Sequence, residues 1–229
     1  MNTFAKIATI GVITVAGLFG ASTLVSADTD TATSTGKITL EADDSPVNPL
    51  NPLDPDSPNP ATPDPADPEN EGTGNSGELT IDFLSNIDFG TKKVSGTSET
   101  YKALNTNPYI QVTDKRGNGD GWVLTASATD FKDGDNVLKG AEMSFKNGEV
   151  RTQADNQSTA PTASDVTLNG SAQPVFQAAA NAGMGTWVDV YAGTAGANEN
   201  VTLHVPAGNL AGAYDSSITW TLETSPSAE

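Results

Sequence analysis

The amino-acid sequence predicts an all-β protein, folded as a single β-sandwich or barrel-like domain. Short segments rich in Thr, Val, Ile, Phe, Tyr and Trp recur from residue 78 onward, separated by Gly, Asn, Asp or Pro. No run of helices interrupts them, which is typical of sandwiches and barrels. The chain has 229 residues and no cysteine, so its core must be stabilised by packing without disulfides.

The first 27 residues have the layout of a secretory signal peptide. Lys6 provides a positive start, residues 7–19 are apolar apart from Thr and Gly, and Val25-Ser26-Ala27 offers a small-residue cleavage site. A retained membrane anchor is the alternative, because residues 7–25 carry no charge. The small residues at the exit favour cleavage. We therefore expect a secreted protein, with residues 28–229 as the mature chain and no membrane segment after cleavage.

A proline-rich tract separates a short candidate strand from the main body. Residues 46–68 contain nine prolines, which remove backbone donors and favour polyproline II. Lys37–Glu41, by contrast, alternates apolar and polar residues as a half-buried strand does. Because a lone strand is unstable, we expect residues 37–41 to join the sheet as its first strand. Residues 43–77 are then a long disordered Pro/Asp-rich loop, and residues 78–229 are the main body. The alternative is a simple linker after a disordered N-terminus.

Eight segments of the main body have strand composition and length. They are Glu78–Leu84, Ile87–Phe89, Tyr109–Thr113, Trp122–Ser127, Met143–Phe145, Trp187–Tyr191, Val201–Val205 and Ser217–Glu223. The helix candidate is Pro174–Ala182, with one or two turns. The glycine-rich turn at residues 114–121 predicts that the strands on either side of it pair as a hairpin.

The net charge is −18, with 29 acidic and 11 basic residues. This balance disfavours nucleic acid and anionic membranes as partners, since binding to either depends on a surplus of Lys and Arg. Nine of the basic residues lie between Lys92 and Arg151, so this span is nearly neutral. We expect any contact with an anionic wall polymer to occur there.

Two Trp-x-Leu triplets, Trp122-Val-Leu124 and Trp220-Thr-Leu222, lie 98 residues apart on predicted strands. Residues two apart on a strand share a face, so each Trp lies beside its Leu. The first triplet follows the string VTDKRGNGDG, and the second lies in a Thr-rich strand after Tyr214. With the signal peptide and the Pro/Asp-rich segment, these features resemble the WxL-domain surface proteins of Gram-positive bacteria, in particular the small, single-domain members. The resemblance covers essentially the whole mature chain.

That resemblance implies an exported protein on the cell surface that attaches to the cell wall without a covalent bond, with peptidoglycan as the ligand. It also implies partner surface proteins that bind the WxL domain. The alternative function is therefore a protein-interaction subunit of a multi-protein surface complex, which could face a host. Binding of the isolated domain to wall material without its partner would discriminate between the two functions.

The tryptophans could be core anchors or a platform for sugar rings. A Trp beside an apolar residue on one strand face usually faces a core, whereas an exposed aromatic face could stack on a glycan. Trp187 with Tyr191 is a further candidate for a binding ledge. The choice between core and ligand binding stays open for six residues: Trp122, Leu124, Trp187, Tyr191, Trp220 and Leu222.

Metal binding and catalysis are both disfavoured by the sequence. Asp114, Asn118 and Asp120 could offer oxygen ligands to Ca²⁺, but Thr125 stands where a calcium loop would place its bidentate Glu. Asp, Asn and Gly are also the usual residues of turns. The chain has a single histidine, His204, and no nucleophile motif such as G-x-S-x-G. We therefore expect a non-enzymatic protein without a cofactor.

Overall fold

The computed structural model describes residues 30–58 and 62–225. This part of the chain is all-β and has no helix, and therefore none that could cross a membrane, which confirms the predicted fold class. The predicted signal peptide lies outside the described residues. The strands are β1 (Leu79–Leu84), β2 (Glu99–Ala103), β3 (Tyr109–Asp114), β4 (Trp122–Ala128), β5 (Lys132–Asp133), β6 (Asn136–Val137), β7 (Glu142–Phe145), β8 (Glu149–Thr152), β9 (Thr162–Ala163), β10 (Val166–Thr167), β11 (Gln173–Ala178), β12 (Gly185–Val190), β13 (Asn198–Val205) and β14 (Ile218–Thr224).

Three four-stranded antiparallel sheets form the body, as in a β-sandwich. The first sheet has the order β1-β3-β12-β8, the second β10-β7-β13-β2 and the third β14-β4-β11-β9, while β5 and β6 form a small hairpin. One apolar core cluster takes side chains from all three sheets, including Val112 of β3, Phe145 of β7 and Leu124 of β4. Burial of each such side chain stabilises the fold by about 1.5–3 kcal/mol.

Seven of the eight predicted strands are present, with their ends shifted by a few residues at most. The exception is Ile87–Phe89, where Asp88 holds a turn. Its Oδ1 accepts from the Gly90 amide at 2.6 Å, and its carbonyl accepts from the Leu104 amide at 2.7 Å. Asp88 therefore bonds to a residue two positions on and to a distant loop residue rather than in a strand ladder, and the first of these bonds is one that Asp forms readily.

The helix predicted at Pro174–Ala182 was wrong, because this segment begins within strand β11. Val175 and Phe176 are both fully buried. Because neighbouring residues on a strand point to opposite faces, both faces of this segment are buried, whereas an amphipathic helix would bury a single apolar stripe. Pro174 sits where the register between β11 and β4 shifts. Such an irregularity tolerates the missing proline N–H.

The predicted hairpin between Tyr109–Thr113 and Trp122–Ser127 was also wrong. Strand β3 pairs with β1 and β12 in the first sheet, whereas β4 pairs with β14 and β11 in the third. The connection at residues 115–121 therefore carries the chain from one sheet to another. A glycine-rich turn shows where a strand ends, but it does not show to which sheet the chain returns.

Residues 37–41 form no strand, contrary to the prediction. Ile38 and Leu40 are 84% and 85% exposed, and no backbone hydrogen bond joins this segment to another described residue. Residues 30–38 belong to a separate unit, and the compact body begins at Thr39. Alternating apolar and polar residues suit a strand with one buried face. A strand also needs a neighbouring strand to accept and donate its backbone hydrogen bonds, and the pattern does not provide one.

The proline-rich tract forms no strand or helix in its described part, but it is not the disordered loop that was predicted. Gln111 of β3 connects it to the first sheet, accepting from the Leu50 amide at 2.7 Å and donating to the Asn48 carbonyl at 3.2 Å. Further along, Asp64 Oδ2 accepts from the Thr106 amide at 2.7 Å. Prolines cannot donate, yet the carbonyls and carboxylates of the tract remain good acceptors, and these bonds hold the tract against the body.

Candidate functional site

The Trp and the Leu of the first Trp-x-Leu triplet both lie in the core. Trp122 and Leu124 are both 0% exposed, and the Trp122 ring packs edge-on against Phe176 at 5.0 Å between centroids. The indole N–H donates to the Gly183 carbonyl at 3.1 Å, so burial leaves no polar group of this side chain unsatisfied. These two side chains build the fold and offer no surface to a ligand.

The second triplet lies on β14, an outer strand of the third sheet. Trp220 and Leu222 are partly buried and pack against the core cluster. Trp220 lies edge-on to Phe145, with 6.2 Å between ring centroids. Part of its ring surface remains accessible, so Trp220 is the one tryptophan of the three that can touch a ligand.

Trp187 and Tyr191 form no binding ledge, because they are 4% and 1% exposed. The Trp187 indole N–H donates to the Met184 carbonyl at 2.9 Å, and the Tyr191 hydroxyl donates to Asp189 Oδ2 at 2.7 Å. Both residues belong to the apolar core cluster. The open choice is thus settled as core for four of the six candidates, namely Trp122, Leu124, Trp187 and Tyr191.

Beside Tyr191 lies a carboxyl group in an unusual setting. Asp189 is fully buried, and burial raises its pKa to about 7, opposed in part by the hydrogen bond from Tyr191. Its Oδ1 has no hydrogen-bond partner among the described residues. Burial likewise raises the pKa of the Tyr191 hydroxyl well above its usual value. Because Asp189 and Tyr191 are 0% and 1% exposed, the pair affects stability rather than binding.

The weak calcium candidates are already engaged by protein groups. Arg116 Nε donates to Asp114 Oδ1 at 2.9 Å, and Arg116 Nη2 donates to Asp114 Oδ2 at 2.7 Å. Asn118 donates to Asp120 Oδ2 at 2.8 Å. Nowhere in residues 30–58 and 62–225 do three His, Cys, Asp or Glu side chains form a group that could hold a metal ion. Both carboxylate oxygens of Asp114 therefore already accept from a guanidinium.

An open cleft of about 750 Å³ is the best candidate for a binding site. Its walls come from the β1–β2 loop, the β13–β14 loop and the two residues that flank the β5–β6 hairpin, Phe131 and Leu138, and second-sheet residues such as Met143 also line it. Five partly buried aromatic side chains line it: Phe89, Tyr101, Phe131, Tyr214 and Trp220. We call it the aromatic cleft. Apolar walls with a few polar groups are typical of ligand sites.

Backbone hydrogen bonds fix two walls of the aromatic cleft to each other. Lys132 and Asp215 exchange backbone bonds of 2.8 and 2.9 Å, which join the hairpin to the β13–β14 loop. The Lys139 amide donates to Asn209 Oδ1 at 2.7 Å, adding a second link. The aromatic rings are therefore held on a pre-formed surface, which lowers the ordering cost of binding.

The charges in the aromatic cleft are mixed. Lys92 and Lys93 line it, as do Asp88 and Asp215, and the Lys92 ammonium lies 5.8 Å from the centroid of the Tyr101 ring. Neither lysine forms an ion pair within the described part of the chain. In a molecule of net charge −18, this balance makes the cleft accessible to a polar or anionic polymer.

Of the five aromatic residues that line the aromatic cleft, Trp220 alone was among the site candidates that the sequence predicted. Tyr101 lies on β2, a strand that was not predicted, and Phe131 and Tyr214 lie in segments that read as turns, DFKDG and AGAYDS. These aromatics are brought together by tertiary contacts between distant loops. The one sequence feature that could have indicated these residues as site candidates was a bulky aromatic residue within a turn-rich segment.

Comparison with known proteins identifies the family. No curated protein and no solved structure gives a significant match to this chain. A family model described as "WxL domain surface cell wall-binding" matches residues 27–226, nearly the whole chain. The chain therefore belongs to the WxL domain family, whose domain attaches to the cell wall at the cell surface.

Proposed function

We propose that the protein attaches to the cell wall without a covalent bond by holding a glycan strand of peptidoglycan in the aromatic cleft. The observation that carries this proposal is the set of partly exposed aromatic rings in one pre-formed cleft, with Tyr101, Tyr214 and Trp220 among them. Sugar rings present apolar C–H faces that pack on aromatic faces. Their hydroxyl and amide groups need polar partners, and the ammonium groups of Lys92 and Lys93, which form no ion pair within the described part of the chain, line the same cleft.

The buried tryptophans strengthen the choice of this cleft. Trp122 and Trp187 cannot contact a polymer without unfolding, because they are 0% and 4% exposed. A polymer chain also needs an open-ended site, and the aromatic cleft is open to solvent rather than enclosed. Wall attachment would then depend on the loops of the domain, while the first Trp-x-Leu triplet maintains its core.

The same proposal includes export by the N-terminal signal peptide and the absence of catalysis. The single histidine, His204, lies on β13 beside Thr100, with 3.4 Å between its Nδ1 and the hydroxyl. It is not among the residues that line the aromatic cleft. We expect the aromatic cleft to retain a polymer rather than to cleave it.

A second candidate function is attachment to a partner surface protein, which would carry the wall affinity itself. Val94 and Leu210 favour it, because they are 62% and 65% exposed on the two loops that border the aromatic cleft. Exposed apolar side chains at the rim of a groove often mark protein interfaces. In this case the partner would present apolar side chains to the cleft mouth.

Co-sedimentation of the purified mature protein with peptidoglycan sacculi tests the proposal. We expect binding by the wild type, and at least about tenfold weaker binding for Tyr101→Ala and Tyr214→Ala, a change equivalent to about 1.4 kcal/mol. Leu53→Ala is the matched control, since Leu53 is 43% exposed but lies outside the aromatic cleft. Failure of the folded wild type to co-sediment without a partner would favour the second candidate.

A further inference from the structure

Strand β14 is an unusually open edge. It has seven residues, more than any other outer strand, and pairs with β4 in an uninterrupted register from Ile218 to Thr224. The outer edge of β1 differs, because Thr73 donates through its amide to Asp82 O at 2.8 Å and through its hydroxyl to Ile81 O at 2.6 Å. Within the described residues, nothing comparable pairs with the outer edge of β14.

The hydrogen bonds to β4 determine which backbone groups of β14 face outward. The Ser217 carbonyl accepts from Thr129, and the Ser225 amide donates to Gly121. In an antiparallel pair, inward and outward groups alternate along the strand. The amides and carbonyls of the even-numbered residues of β14 therefore point away from β4: Ile218, Trp220, Leu222 and Thr224.

The usual protections against strand pairing are missing from β14. Exposed edges are normally protected by Lys, Pro, a bulge or a very short strand. The sequence Ile-Thr-Trp-Thr-Leu-Glu-Thr contains neither Lys nor Pro, and its one ionisable residue is Glu223. Its pairing with β4 has no bulge. Such a strand is a template for another strand.

We propose that β14 pairs antiparallel with β14 of a second copy, about a two-fold axis at Thr221. Thr221 is the centre of the strand, so this register pairs all seven residues. It places Trp220 opposite Leu222 of the second copy, and the reverse, on the face that is only partly buried in one copy. The outward-facing amides and carbonyls of these same residues exchange the new ladder bonds.

This register is also compatible with the charges. Glu223 lies opposite Thr219 of the second copy, so the two Glu223 carboxylates are four positions apart along the ladder and do not face each other. Like charges directly opposite would destabilise the pair. Electrostatic repulsion between the two copies still opposes the dimer, because each has a net charge of −18. Salt screens this repulsion. The dimer should therefore strengthen as ionic strength rises.

The absence of cysteine in this chain allows a direct test with single-cysteine variants of the mature protein. At the two-fold axis, Thr221→Cys would face its own copy in a non-hydrogen-bonded pair, where Cα atoms lie about 4.5 Å apart and suit a disulfide. Thr219→Cys is the matched control, exposed on the same face of the same strand. We expect mild oxidation to crosslink Thr221→Cys at least about tenfold faster than Thr219→Cys.

Charge substitutions test the register by sedimentation velocity over a concentration series. Thr221→Lys places two lysines opposite each other and should raise the dissociation constant of the dimer about tenfold. Thr219→Lys places a lysine opposite Glu223 of the second copy and should lower it about threefold. Thr100→Lys on β2, another outer strand, should change nothing. A wild type that is monomeric at millimolar concentration, or equal crosslinking of the two cysteine variants, would overturn the proposal.

Discussion

Leu124 and Leu222 lie directly opposite each other on β4 and β14, so the two Trp-x-Leu triplets, 98 residues apart in the sequence, meet on neighbouring strands. Because the strands are antiparallel, Trp122 lies opposite Thr224 and Trp220 opposite Ala126. The two tryptophans thus lie on neighbouring strands of the same sheet, but they are buried to different extents. Trp122 is fully buried, whereas Trp220 is partly buried and lines the aromatic cleft.

This difference in depth predicts unequal costs of truncation. Trp122→Ala should lower the free energy of unfolding by on the order of 3–5 kcal/mol, since it leaves a cavity in a packed core. Trp220→Ala should cost only about 1–2 kcal/mol, because part of the ring is already in water. Urea unfolding monitored by circular dichroism measures both, and Trp187→Ala provides a second buried reference. Equal losses for Trp122→Ala and Trp220→Ala would contradict the assignment of separate roles.

Gly183 provides an independent test of how tightly Trp122 is held. Its φ is +70°, and a Cβ there would lie 2.4 Å from the Ala178 Cβ and 2.7 Å from the Trp122 Nε1. Gly183→Ala should therefore cost at least about 2 kcal/mol more than backbone strain alone. Gly196→Ala is the matched control, with φ +72° and no atom within 4 Å of the added Cβ. Gly196→Ala should lower the free energy of unfolding only by the cost of placing a non-glycine residue in the left-handed backbone conformation, about 1–2 kcal/mol. The same melting midpoint for both variants would exclude close packing at Gly183.

The sequence predicted the strands that alternate or carry several large apolar residues, such as β3, β4 and β13. It could not predict β9 or β10, because strands of two residues exist only where tertiary contacts supply a partner. It missed the contacts of the proline-rich tract for a similar reason. Gln111 reads as one polar residue in a strand, and its role depends on the carbonyl of Asn48, 63 residues earlier in the chain.

Stability should depend on pH through Asp189. Its pKa is raised from 3.8 to about 7 by burial, so the folded state binds a proton that the unfolded state releases. The contribution of Asp189 to the free energy of unfolding should therefore be largest below about pH 4. It should fall as pH rises towards 7, by on the order of 4 kcal/mol in total.

Asp189→Asn should remove this dependence, which thermal or urea unfolding between pH 4.5 and 7.5 can measure as a difference between the two proteins. Asp43 does not interfere, because the Ser45 amide and Lys115 lower the pKa of its carboxyl. Its contribution is lost only as pH falls below the ordinary value of 3.8. If both proteins lose stability with the same slope across this range, Asp189 does not carry a proton in the folded state.

The attachment of the proline-rich tract should depend on Gln111. This side chain is fully buried and also donates to Asp82 Oδ2 at 3.1 Å, so Gln111→Ala would leave several polar groups without partners. We expect faster hydrogen exchange at the Leu50 amide and faster cleavage of residues 46–58 by proteinase K. Gln177→Ala, an exposed glutamine on β11, is the control. Unchanged protection of the Leu50 amide would show that other contacts hold the tract.

Arg116 should help to hold the C-terminal end of β14 in place. Only 9% of its side chain is exposed, and it pairs with Asp114, whose side chain is 1% exposed. It also donates to the Asp120 carbonyl at 2.8 Å and to the Thr224 hydroxyl at 2.9 Å. Arg116→Ala would leave a buried carboxylate without a counter-charge, which typically costs on the order of 3–5 kcal/mol.

The double variant Arg116→Ala/Asp114→Asn separates the charge from the packing. We expect it to recover part of the lost stability, because the uncompensated charge is gone, while the Ser225 amide near the end of β14 still exchanges faster than in the wild type. Arg151→Ala is the matched control. Its partner Glu149 is 59% exposed, and such surface pairs contribute about 0–1 kcal/mol. If the two single substitutions at Arg116 and Asp114 add without coupling, the pair does not act as a unit, and the end of β14 must be held by its bonds to β4.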